Sequence, residues 1–392
     1  MIIFTYPGQG SQTPGMGASW QDHPSWDLVN EASEITGRDL AHLLVSADAD
    51  VLRQTRNSQL ATFLTSLIAL DALAIVGISP SAHAGHSLGE YSALAASGAL
   101  SFADAVSLVA ERGEAMQTAS EEHEGTMAAV LGLADEEVEA VCEETGGEVW
   151  VANYNAVGQV VIAGAPDSVS AAGARAKDRG AKRAMPLPVG GAFHTPFMSS
   201  ASDRLAKAID KVEFHLPDFP VYANVDAAAH TDVTEWPDLL RRQLCSPVRW
   251  CQQMKQIIAD GGDTFVEIGP GKALTAMIKR IDKSKETHQV NTPDDIDTLL
   301  KSLGTSTTAP ALGEHLYVHE RIVVSPAAGI FTSNQDIAAG DGIVVGSVIG
   351  KVGDQEVYSP FAGQIMGYLA HDTERVFANQ PLAWLRTEET PQ

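Results

Sequence analysis

Ala82-His83-Ala84-Gly85-His86-Ser87-Leu88-Gly89-Glu90-Tyr91 is the stretch on which the fold turns. Residues 82–84 read as a short strand. They run through Gly85-His86-Ser87 directly into a helical pattern over 88–96. A strand that feeds a helix across a glycine-flanked serine is the G-x-S-x-G elbow. The glycines permit a tight turn that lifts the serine hydroxyl clear of a sheet, and the helix aims its first amides at the same spot. With 34 glycines in the chain, the five-residue pattern alone separates little. The strand before and the helix after give it weight, and a tight βα turn that merely needs glycine is the plain alternative.

Outward from the elbow, residues 2–6 read as a strand and 57–76 as a long helix. This alternation predicts an α/β fold with a parallel sheet. The most apolar stretch, 61–78, is interrupted by Thr65, Ser66 and Asp71, which favours a buried core helix over a membrane span. Residues 124–188 follow another order: strand 126–133, helix 135–145, strands 150–154 and 159–163, helix 166–178, strand 182–186. That βαββαβ order predicts a ferredoxin-like subdomain inserted into the larger one. The α/β pattern returns to about residue 303, with a strand over 264–268 and a helix over 273–281. A polar, small-residue stretch over 304–313 reads as a linker. Residues 314–387 read as short strands and turns, with Val324-Ser325-Pro326-Ala327-Ala328-Gly329 echoed by Tyr358-Ser359-Pro360-Phe361-Ala362-Gly363. Two similar halves, each too small to bury a face alone, predict a pseudo-twofold β-sandwich.

The 392 residues carry a formal net charge of -24. Such a surface disfavours nucleic acid and anionic membrane. An acidic partner needs a local basic patch, for which Lys182, Arg183, Lys272, Lys279 and Arg280 are candidates. Three cysteines (Cys142, Cys245, Cys251) are too few for a disulfide framework and lack zinc-site spacing. No basic segment precedes the strand at 2–6, so no signal peptide is expected and the cytoplasm is the expected compartment.

A serine nucleophile needs a base. Twelve histidines compete, and residue type alone singles out none. His86 adjoins the serine, but the elbow would turn its side chain away. His194 lies in Gly191-Ala192-Phe193-His194-Thr195-Pro196, a loop after a strand, where catalytic groups collect. An oxyanion hole needs backbone N–H donors. Leu88 offers the first, and the Gly8-Gln9-Gly10 loop after the first strand could offer the second.

Six blocks then stand in order: Tyr6-Pro7-Gly8-Gln9-Gly10-Ser11-Gln12; the elbow from Gly85 to Tyr91; Asn153-Tyr154-Asn155-Ala156-Val157-Gly158-Gln159; Gly191 to Met198; Arg242-Gln243-Leu244; and Glu267-Ile268-Gly269-Pro270-Gly271-Lys272. Together they resemble the successive signatures of the malonyl-CoA:acyl carrier protein transacylase family, over about three quarters of the chain. The resemblance implies an α/β-hydrolase-like core. It implies Ser87 as nucleophile, His194 as general base and then acid, and Gln9 and Leu88 as oxyanion donors. It further implies that the backbone carbonyl of Gln243 orients His194, in place of a triad carboxylate. Arg112 would grip the free carboxylate of malonyl; taken alone, Arg112 reads as an exposed helix charge. Malonyl-CoA and acyl carrier protein are the implied partners, with no metal and no cofactor of the chain's own. A trans-acting polyketide acyltransferase shares this chemistry. An acyl hydrolase for misloaded carriers is a further reading, which Arg112 disfavours.

The tail resembles biotinyl/lipoyl carrier domains, a barrel-sandwich fold, through its two Ser-Pro repeats and Gly340-Asp341 with Gly346. In that family the modified lysine tips a hairpin between the halves. Here Gly353-Asp354 takes the tip and Lys351 precedes it in the strand, so neither biotin nor lipoate is expected. Self-association, or a scaffold role that binds a partner enzyme through 314–387, is the other expectation for the tail.

Overall fold

Strand β1 (Ile2–Tyr6) and strand β2 (Ala82–Gly85) pair in parallel at the centre of the larger sheet. The computed structural model of the protein describes residues 1–303, 320–353, 355–376 and 380–386. The helix Thr55–Ile75 crosses from one central strand to the other. A parallel sheet is covered on both faces, so its crossover helices become apolar on most sides. This helix accordingly has the length and hydropathy of a membrane span, yet 83% of the window is buried inside the fold.

The chain leaves the sheet after the helix Phe102–Glu122 and enters a four-stranded antiparallel sheet of β3 (Thr126–Leu131), β4 (Val149–Ala156), β5 (Gln159–Gly164) and β6 (Arg183–Pro186). Helices Asp135–Thr145 and Pro166–Asp178 complete a βαββαβ unit with strand order β4-β5-β3-β6, the ferredoxin-like arrangement. Val130, Val138, Val141, Ile162 and Ala172 fill its core. Tyr154 N–H donates to the Val248 carbonyl (2.9 Å) and Val248 N–H to that of Ala152 (2.9 Å), which fastens β4 to the main body.

The larger sheet resumes with β7 (Val221–Tyr222), β8 (Ala229–His230), β9 (Thr264–Ile268) and β10 (Glu286–Val290). Its order is β10-β9-β1-β2-β7-β8, parallel apart from the β7–β8 hairpin. The C-terminal ends of β1 and β2 thus lie side by side near its middle, where open α/β sheets place their sites.

By its internal contacts the chain divides into one unit of Met1–Ala74 and Ile78–Ser306 and a second of Thr307–Gln392 with Ile75–Gly77. The predicted linker, 304–313, lies outside the described residues. The smaller unit holds β11 (Glu320–Val324), β12 (Gly329–Ser333), β13 (Gly342–Ile343), β14 (Val348–Val352), β15 (Gln355–Tyr358), β16 (Gly363–Tyr368), β17 (Arg375–Val376) and β18 (Pro381–Arg386). They form two four-stranded sheets, β11-β18-β16-β13 and β15-β14-β12-β17. Exchanging β11 with β15, β12 with β16, β13 with β17 and β14 with β18 turns one order into the other. The sequence repeat marks this exchange. Ser325 Oγ donates to the Ala327 carbonyl (2.6 Å), and Ser359 Oγ to that of Phe361 (2.8 Å). Each serine bonds to the backbone two residues on, and both are buried. Lys351 sits within β14 and pairs with Glu356 across the hairpin (3.6 Å). Gly353 takes a positive φ of 61° at the tip; its neighbour Asp354 lies outside the described residues.

Candidate active site

At the elbow, sequence dictates geometry through the two glycines. A Cβ on Gly85 would stand 1.9 Å from the Gly89 carbonyl, and one on Gly89 would stand 2.0 Å from the Tyr6 carbonyl oxygen. Both positions therefore exclude any side chain. Between them Ser87 adopts φ 54°, a left-handed conformation that costs a non-glycine residue roughly 1–3 kcal/mol. Surrounding bonds hold it there. Ser87 N–H donates to Asn224 Oδ1 (2.8 Å), and Gln243 Nε2 donates to the Ser87 carbonyl (2.8 Å). Asn224 Nδ2 also donates to the Gly85 carbonyl (2.6 Å).

His194 likewise has a positive φ, 62°. Its loop is pressed against the end of the helix Phe102–Glu122 and the start of the insertion. A Cβ on Gly191 would stand 2.2 Å from Ser120 Oγ, and one on Gly125 would stand 2.6 Å from Ala192 N. The result brings His194 Nε2 to 2.7 Å from Ser87 Oγ and His194 Nδ1 to 2.9 Å from the Gln243 carbonyl. A carbonyl only accepts, so Nδ1 carries the proton and Nε2 presents its lone pair to the serine hydroxyl. Burial, and next the charge of Arg112, push the imidazole pKa down to about 3, so the ring is neutral and in its basic form near pH 7.

The structure corrects the plain reading of Arg112: the residue is 0% exposed. Its helix, Phe102–Glu122, is capped by Ser101, whose Oγ accepts from the Asp104 N–H (3.1 Å). Arg112 Nη1 donates to Gln59 Oε1 (2.5 Å), and Nη2 donates to Gln243 Oε1 (3.0 Å) and Ser87 Oγ (3.1 Å). Its guanidinium lies 5.3 Å from the Tyr91 ring centre. Every hydrogen-bond partner is neutral, and among the described residues no carboxylate forms an ion pair with it.

A Cβ on Gly8 would stand 2.4 Å from the His86 carbonyl oxygen, so the Gly8-Gln9-Gly10 loop lies directly on the elbow. Gln9 Oε1 accepts from Gln59 Nε2 (3.2 Å). Among the described residues, neither the Gln9 nor the Leu88 N–H has a hydrogen-bond partner, whereas the Gly10 N–H is taken by Gln12 Oε1 (2.7 Å). His86 turns away from the serine and bonds Asn155 through Nε2 (2.8 Å).

Ser87, His194, Arg112, Gln9, Leu88 and Gln243 thus meet in one place. Sequence reasoning missed Gln59, Asn224, Glu90 and the side chain of Gln243. Gln59 and Glu90 left a trace, each being a long polar residue within an apolar helical run. Of the basic candidates, Lys182, Arg183 and Lys272 are exposed. Arg280 bonds Gln159 (2.8 Å), and Lys279 bonds the Lys285 carbonyl.

A hydroxyl shared between a neutral imidazole and a buried guanidinium, beside two unspent amides, is suited to acyl transfer onto serine. Known proteins agree with this chemistry. The acyl transferase domain family matches residues 3–298. The malonyl CoA-acyl carrier protein transacylase of Bacillus subtilis (strain 168) is 42% identical over 307 residues, 77% of this chain and 97% of that protein. The solved transacylase of that name from Coxiella burnetii superposes with a TM-score of 0.75 at 38% identity, covering 77% of this chain and 97% of its own. A type II polyketide acyl-carrier protein in complex with its malonyl-transacylase is a further solved relative, at 38% identity and TM-score 0.74, over 77% and 99% of the two chains. The match runs through the elbow, the histidine loop and the arginine helix, and the chain belongs to the malonyl CoA-acyl carrier protein transacylase family of acyl transferases.

Proposed function

We propose that the protein transfers malonyl from malonyl-CoA to the phosphopantetheine thiol of acyl carrier protein, the malonyl-loading step of fatty acid biosynthesis. The observation that carries this reading is the buried, carboxylate-free Arg112 at 3.1 Å from Ser87 Oγ. A planar guanidinium takes a carboxylate through two parallel bonds, and malonyl brings one. A neutral acyl group would leave the buried charge unpaired.

Ser87 Oγ attacks the thioester carbonyl and its proton passes to His194 Nε2. The oxyanion is met by the N–H groups of Gln9 and Leu88, and Gln243 stabilises the imidazolium through its carbonyl at Nδ1. Collapse breaks the C–S bond, and His194 returns the proton to the CoA thiolate. The carrier thiol then repeats these steps on malonyl-serine. Each removed oxyanion donor costs about 10²–10³ in rate, and the general base contributes about 10²–10⁴.

The same reading assigns residues 1–303 to an α/β-hydrolase-like transferase with 124–188 inserted, and 314–387 to a biotinyl/lipoyl-like sandwich without biotin or lipoate. The exchange symmetry of the two tail sheets supports that kinship. The placement of Lys351 in the strand, paired with Glu356, supports the absence of modification. Free Cys142, Cys245 and Cys251 support a cytoplasmic location. The test is initial-rate kinetics with malonyl-CoA and holo-carrier varied together. Parallel double-reciprocal lines support a covalent acyl-enzyme, and intersecting lines refute it.

A further inference from the structure

Glu90 lies in the first turn of the helix Gly89–Ala96, next to the elbow, and is 1% exposed. Its Oε1 accepts from the Asn224 N–H (3.0 Å), and its Oε2 accepts from Gln243 Nε2. The Gln243 amide has two ends of equal size, and hydrogen bonding alone decides which faces which way. Its amino end meets three acceptors, Glu90 Oε2, the Ser87 carbonyl (2.8 Å) and, at longer range, Asn224 Oδ1 (3.4 Å). With that end fixed, Oε1 faces the opposite side and accepts from Arg112 Nη2 (3.0 Å).

We propose that Glu90 is a positioning residue for acyl selectivity, holding the Arg112 guanidinium in its receiving pose through the interposed Gln243 amide. A carboxylate in direct contact would occupy the guanidinium and compete with the acyl carboxylate. One neutral amide between them passes on the orientation and leaves the ion pair open for substrate. Burial raises the Glu90 carboxyl, and its bonds to Asn224 and Gln243 and the Arg112 charge offset part of that rise, leaving it at about 7. This inference rests on the malonyl-transfer reading.

The test compares Glu90→Gln with wild type on two substrates. One is malonyl-CoA, followed as Ser87 loading. The other is p-nitrophenyl acetate, a neutral ester that needs Ser87 and His194 but offers Arg112 no carboxylate. Glu90→Gln offers one acceptor where the carboxylate offered two, so the Asn224 N–H and the Gln243 amino group can no longer both be satisfied, and the Gln243 amide, held less firmly, no longer fixes its Oε1 on Arg112. Malonyl kcat/KM falls by about 10–100-fold and the ester rate falls far less, so the ratio of the two drops at least ~10-fold. In a Gln243→Met background, which keeps the backbone carbonyl for His194, adding Glu90→Gln moves that ratio no further. Equal losses on both substrates, or an undiminished ratio change in the Gln243→Met background, overturn the proposal. Should Glu90→Gln fail to fold by circular dichroism, Glu90→Asp serves instead: it keeps the charge, is too short to reach Gln243, and must show the same ratio change. Wild type that takes no malonyl at all sinks the transfer reading, whereas wild type that loads normally beside an unaltered ratio in the variants sinks only this inference.

Discussion

Ser87 and His194 both hold positive φ angles, 54° and 62°, and neither is glycine. Such strain persists where surrounding bonds over-determine it, and here Asn224 and Gln243 supply them. His194→Ala lowers kcat by about 10²–10⁴ with little change in KM, read by carrier malonylation. Arg112→Lys keeps a charge but loses the planar fork, and lowers malonyl kcat/KM by about 10–100-fold. The nucleophile's setting was legible because its glycines are dictated by close backbone approach. Gln59, Asn224 and the Gln243 side chain were not legible. Their roles come from contacts between residues 50 or more positions apart for Gln59 with Gln9, and 137 apart for Ser87 with Asn224, which no local pattern encodes. Arg112 alone looked like a surface charge because its helix is otherwise polar enough to face water.

At the scale of elements, the elbow is a junction of β1, β2 and the helix Gly89–Ala96, not a self-standing turn. Gly85→Ala therefore forces backbone apart at 1.9 Å, and destabilises the fold by more than about 3 kcal/mol in a urea melt while abolishing loading. Elements bounded by strong signals were read close to their limits. The helix Pro166–Asp178 opens on proline, and β9 ends at Gly269-Pro270-Gly271. Reading 126–133 as a strand overran β3 by two residues, because Gly132 turns there with φ 84°. The pairs β7 and β8 have two residues each, too short for a period to register.

For the whole molecule, three histidines whose pKa burial lowers, His83, His86 and His194, contribute to the acid limb of stability. Burial pushes His83 to about 3, as it does His194, from an ordinary 6.5. Between those values the unfolded chain binds protons that the folded chain refuses, so stability falls as pH drops below 6.5. Glu90 acts in the opposite sense: with its carboxyl raised to about 7, the folded chain holds a proton between 7 and 4.5 that the unfolded chain has lost. His83→Gln removes one of the acid-sensitive groups, and makes the stability slope below pH 6.5 shallower by up to about 1.4 kcal/mol per pH unit, measured by urea melts at several pH values. The relatives are matched over 97% of their length by 77% of this chain, so they are complete without the tail. A chain ending at Leu303 is expected to fold and load malonyl, and loss of loading on truncation would count against the proposed boundary.

The central claim is a malonyl group held on Ser87 and chosen through Arg112. Its most direct test is the intact mass of the protein after brief exposure to malonyl-CoA, beside acetyl-CoA and a Ser87→Ala control. A malonyl adduct is expected that is absent from the control and scarce with acetyl-CoA. An adduct that survives in Ser87→Ala, or equal loading by acetyl-CoA, would contradict it.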